Sequence, residues 1–331
     1  MNKPWYLAGR QACAVVLAGL AMGIIRNPQP FLCILAAFLL ASNDSLPHSR
    51  IFFRIAGACA GALAACLLIS LFPEQPWLLL PAFALLITFG IRWVSFLKDD
   101  SVVLMALLGL VTCIPTGIVH PAAVLTAGGA HAVNLTCGIL SAAIAFSLFP
   151  PEKELPLETS PVFPFQNALL VGVTTSLSMI VASMFLPGAA VVVIAAALMI
   201  FRLAVPDTLP LIPQKALGAI LGALIAIAFD IIIAGAGNDI AFFLVALAVI
   251  FGTLAWIGNW QKKVKPIMLQ AASMFAVAAP MLPRPYFRLE AMGIRIAAVL
   301  IGCAFAILIY LIPVWRERRE WGAVETGKKV S

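Results

Sequence analysis

Long apolar stretches, separated by short polar or proline-bearing segments, fill the chain. With soft ends they cover 11–25, 29–42, 51–72, 77–97, 101–118, 122–149, 165–186, 188–204, 213–235, 240–257, 266–282 and 289–313. None alternates apolar and polar residues with a period of two, as a lipid-embedded barrel strand does. Backbone groups in lipid are satisfied only in helices or closed barrels, so the pattern predicts helices. A membrane-crossing helix takes roughly 20 residues, and twelve take about 240. That leaves no room for a sizeable water-soluble domain. The run 29–42 is the shortest and the weakest candidate for a full span.

Composition strengthens this reading. Of 331 residues, 63% are hydrophobic and 11% charged, with a mean hydropathy of +1.07. Soluble domains run about 45–50% apolar and about 25% charged. The difference argues against a soluble enzyme, a disordered chain and a nucleic-acid-binding protein. The first apolar run is followed by another and not by a soluble domain, which argues against a cleaved signal peptide. Seven cysteines all fall in apolar stretches without a Cys-x-x-Cys pair. They read as small buried hydrophobes, not as disulfides or metal ligands.

The net charge of +7 follows from orientation. With the N-terminus in the cytoplasm, 17 Lys and Arg residues fall on or near the cytoplasmic side and 4 on the other, the latter being Arg26, Arg284, Arg288 and Arg295. This positive-inside bias places both termini in the cytoplasm and demands an even number of spans.

The two halves of the chain match at an offset of about 160–165 residues. Arg54 to Ala65 and Lys215 to Ala226 share six of twelve positions, including Gly57/Gly218 and Gly61/Gly222. Upstream, Asp44-Ser-Leu-Pro47 parallels Asp207-Thr-Leu-Pro210. Ala84 to Gly90 parallels Ala246 to Gly252, and Pro115 parallels Pro280, both near the ends of their runs. The expected fold is an all-α polytopic membrane protein of about 12 helices, in two parallel six-helix repeats. A pseudo-two-fold axis along the membrane normal relates repeats with an even number of spans. Residues 1–150 form the first repeat, 151–164 a proline-rich cytoplasmic linker, 165–313 the second repeat and 314–331 a basic tail.

A six-helix repeat with a short first hairpin, an Asx-containing turn, and a basic residue then Gly-x-x-x-Gly-Ala-Leu opening the third helix resembles the fusaric acid resistance and aromatic acid exporter superfamily. Residues 43–63 and 207–224 carry the likeness. Plant aluminium-activated malate channels are distant relatives of that superfamily. The resemblance implies export of small organic anions, often aromatic carboxylates, across a bacterial inner membrane, commonly beside a periplasmic membrane-fusion protein. Many bacterial members carry a large cytoplasmic domain, and this chain has only the linker and the tail in its place.

Candidate site residues follow from the cost of charge in lipid. An ionisable side chain at the centre of a membrane helix costs about 2.5–3.5 kcal/mol on insertion scales and marks a functional candidate. Arg54 and Lys215 lie about one turn inside the basic boundary, at matching positions. Each shares a face with small residues that admit a neighbouring helix, so they are expected to point inward and bind a carboxylate. Snorkelling to headgroups is the competing reading. Gly57, Gly61, Gly218 and Gly222 are expected to serve helix packing. Asp44 and Asp207 either start turns before proline or gate and relay protons beside the two cations.

His131 and Arg295 each precede a glycine by seven residues, with Asn134 about one turn beyond His131. They are candidates for substrate release, His131 also for proton coupling. No Walker A motif, Gly-x-Ser-x-Gly, His-Glu-x-x-His or Cys/His cluster occurs, so an enzyme, a metal and a cofactor are not expected. The leading reading is a proton-coupled exporter of small organic anions. An anion channel and a non-transporting subunit that scaffolds a fusion protein are the alternatives. Membrane lipid and further copies of the chain are compatible partners; nucleic acid is not.

Overall fold

The computed structural model describes residues 4–25, 31–43, 46, 48–72, 75–97, 100–119, 121–151, 165–185, 212–236, 239–278, 297, 301, 304 and 307. Ten α-helices are described: α1 (Pro4–Ile25), α2 (Phe31–Ala41), α3 (Ile51–Leu71), α4 (Pro76–Leu97), α5 (Asp100–Val119), α6 (Val124–Leu148), α7 (Phe165–Phe185), α8 (Ile212–Gly235), α9 (Ile240–Trp260) and α10 (Lys265–Ala278). Ala297, Ile301, Ala304 and Ile307 are also helical, and Ile301 packs against the core. No strand occurs among the described residues. Five helices are long and apolar enough to cross a membrane: α1, α3 with the single turn before it, α6, the span Ala216–Gly235 of α8, and α9. The expected run 188–204, most of the linker, Pro280 and the tail lie outside the described residues.

Polarity is distributed as lipid solvation demands. Large apolar side chains face outward, such as Leu63, Leu67 and Leu71 on α3 and Val245, Val249 and Trp256 on α9. Hydroxyls turn inward and bond the carbonyl one turn back in their own helix. Examples are Thr88 to Ala84 O (2.7 Å), Thr175 to Val171 O (2.7 Å) and Ser273 to Leu269 O (2.9 Å). A hydroxyl satisfied in this way can be buried without a partner on another helix.

α2 is the centre of the bundle. All eleven of its residues are apolar and buried. A helix apolar on every side needs protein or lipid on every side, and here α1, α6 and α10 enclose it. At 1.5 Å per residue it is about 16 Å long, half the hydrocarbon thickness. The weak second run is thus an internal half-length helix. Phe38 of α2 meets Phe251 of α9, which meets Phe275 of α10, with centroids 5.2 and 5.3 Å apart. This chain of rings ties α2 to the second half of the sequence.

Glycines set the closest helix contacts. A methyl group on Gly57 would come 2.7 Å from Val102 O, and one on Gly61 would overlap Ala106 O. On α8, methyl groups at Gly218 and Gly222 would overlap Ile267 O and Ala271 O. So α3 lies backbone to backbone on α5, and α8 lies the same way on α10. These are the most extensive packings of α3 and of α8. Two long packings join early and late helices, α1 on α9 and α4 on α7.

Two prolines lie inside described helices. Helix α5 continues through Pro115 to Val119, so this proline does not end it. Helix α4 likewise passes through Pro81. A proline removes its own N–H bond and crowds the carbonyl four residues back; Pro81 in the second turn of α4 and Pro115 near the end of α5 leave the flanking turns helical.

Candidate functional site

One end of the bundle gathers the polar chemistry. Arg10 on α1 is fully buried. Its Nε donates to Ala41 O at 3.1 Å and its second amino group to Asn43 O, while its guanidinium lies 3.9 Å over the Phe146 ring. The last carbonyls of a helix have no partner within it. A planar cation with several fixed donors bridges them and offsets the negative helix end. The aromatic face adds a cation–π contact. Arg10 therefore fastens the end of α2 to α1 and α6. Tyr6 stacks edge-on against Phe149 at the same end (5.4 Å), and His48 bonds Ser147 at 3.0 Å.

Arg54 belongs to this end as well. It is 1% exposed, and its Nε donates to Ser101 Oγ at 2.6 Å across the α3–α5 contact. The side chain has thus turned away from lipid. Small residues make this geometry available: Ala58 and Gly61 continue the same face and let α5 approach. Lys215 lies on α8, three residues before Gly218; its side chain is outside the described residues. Because α3 packs chiefly on α5 and α6, and α8 on α10, these two helices are not principal neighbours. Asp44, Asp207 and Arg295 lie outside the described residues.

His131 and Asn134 on α6 are buried, at 5% and 1% exposure. His131 Nδ1 has no hydrogen-bond partner among the described residues. Gly138, seven residues further along, sits against Cys33 O and Ala36 of α2. Seven residues bring a helix back to nearly the same face, so His131 lies on the α6 face that follows α2.

A shallow cleft opens at the basic end between α1, α2, α9 and α10. Gln11, Ser42, Asn259 and Lys265 line it together with apolar side chains. None of these four stood out in the sequence. Lys265 counted only as an orienting cation, as did Arg10. Their partners lie on helices far away in the sequence, which no local pattern reveals. No family model, curated protein or solved structure matches the chain.

Proposed function

We propose that this protein is a multi-pass secondary transporter that exports small organic anions across a bacterial inner membrane, driven by the proton gradient. Its frame is two six-helix repeats about an axis along the membrane normal, with both termini in the cytoplasm. The observation that carries this reading is the exchange of helix pairings between the halves. Counting the apolar runs of the sequence, the first of the early half lies on the fourth of the late half (α1 on α9), and the fourth of the early half lies on the first of the late half (α4 on α7). Within the halves, Gly57 and Gly61 on Val102 and Ala106 repeat as Gly218 and Gly222 on Ile267 and Ala271. Both correspondences keep the offset of the sequence match. Two similar bodies meeting across equivalent seams can rock against each other and expose a central path to each side in turn.

Substrate would be drawn to the basic end by its cations. Arg54, sealed from lipid beside Ser101, and Lys215 at the matching place are the groups that hold anions there; Asp44 and Asp207 gate that end. His131, Asn134 and Arg295 act further along the path, with His131 carrying the proton. The test is benzoate flux in proteoliposomes with Arg54→Gln, Lys215→Gln and the double variant. Loss of flux by tenfold or more at normal protein levels is expected for the double variant. Unaltered flux would remove these cations from the path. A wild-type chain that moves no benzoate above empty liposomes would overturn export of aromatic acids.

A further inference from the structure

The cleft at the basic end brings an amide and an ammonium without protein partners among the described residues to one opening. Gln11 is 4% exposed as a residue, lines the cleft, and has no hydrogen bond to the described residues. Its amide meets the cleft and not another protein group, so its donors are open to a ligand entering there. The neighbouring polar side chains are already engaged. Ser42 Oγ donates to Leu39 O at 2.7 Å, and Asn259 Nδ2 to Ala255 O at 2.8 Å. Lys265 stands at the rim, on the first residue of α10, with no ion pair among the described residues. The other lining residues include Phe38, Leu254, Met268 and Leu269, and no acidic side chain lines the cleft.

We infer that this cleft is a binding site for a small amphipathic anion, its acid group on the Gln11 amide and the Lys265 ammonium, its apolar body against Phe38, Leu254 and Leu269. The sign of the charge follows from the lining. A lone ammonium beside free amide donors attracts an anion, and the N-terminus of α10 adds partial positive charge. The ends of α2 and α9 also face this region and oppose an anion. Arg10 neutralises the first through Ala41 O and Asn43 O. The cleft lies where α1 and α2 meet α9 and α10, so a ligand there bridges the early and late halves. The inference takes its ligand class from the cleft and its physiological role from the transport reading. The acid group can come from a free carboxylate or from an anionic lipid headgroup.

The test is calorimetric titration of benzoate into the full-length protein in phosphatidylcholine nanodiscs. Binding is expected, and Gln11→Leu and Lys265→Gln should each weaken it about tenfold or more. Lys265 is exposed, so that variant keeps the fold even if Gln11→Leu does not. Neutral benzyl alcohol should bind at least tenfold more weakly than benzoate. Repeating the titration in phosphatidylglycerol nanodiscs separates the sources: competition that Lys265→Gln removes identifies a lipid headgroup, and unchanged affinity identifies the free acid. Benzoate binding indifferent to both substitutions would overturn the site. So would absent binding in phosphatidylcholine with no Lys265-dependent stabilisation by phosphatidylglycerol. Binding without flux would instead remove the transport reading and leave the site.

Discussion

Arg10 holds two carbonyls of the α2 end that have no other donor within the helix. Arg10→Met should therefore lower stability by about 2–4 kcal/mol, from two carbonyls losing a charged donor. Arg10→Lys should recover part of this, since an ammonium cannot reproduce the planar fork. Thermal unfolding in detergent checks both, and an unshifted midpoint for Arg10→Met would refute the role. The residue itself is plain in the sequence, immediately before the first apolar run. Its function is not, because Ala41 and Asn43 lie 31 and 33 positions away. Arg54 was more legible. Its charge within an apolar run, and the small residues after it, already pointed inward. The hydroxyl it meets, Ser101, could not be read from its own surroundings.

At the scale of helices, glycines divide into two groups. Gly61 and Gly222 face backbone carbonyls, whereas Gly90 and Gly129 have nothing within 4 Å of an added methyl. Gly61→Ala and Gly222→Ala should each destabilise by about 1–3 kcal/mol through overpacking. Gly129→Ala should be neutral or stabilise by up to about 1 kcal/mol, because alanine is the better helix former. Melting curves of the three variants decide this; equal shifts would contradict the packing. Gly-x-x-x-Gly spacing made these close contacts legible. The burial of α2 was not legible, since lipid and protein interior select the same apolar residues. Its short length was the one available signal.

For the whole molecule, the seam between halves is the moving part of the proposed cycle. A methyl on Gly252 would lie 3.6 Å from the Ala12 methyl, across α1 and α9. That separation suits a disulfide. Ala12→Cys with Gly252→Cys should cross-link, stop flux when oxidised and restore it when reduced. Flux unaffected by complete cross-linking would exclude rocking at this seam. The apolar runs made membrane helices legible from composition and length alone. Which helices pair across the halves is a long-range property that an internal match can suggest and only contacts can define.

The central claim is tested most directly by benzoate flux in proteoliposomes of the wild-type chain under an imposed pH gradient. Flux should accelerate when protons run down their gradient against benzoate export, and slow when the gradient is collapsed. Flux indifferent to the gradient would contradict proton coupling and mark a channel, and flux no greater than in empty liposomes would contradict transport of this acid altogether.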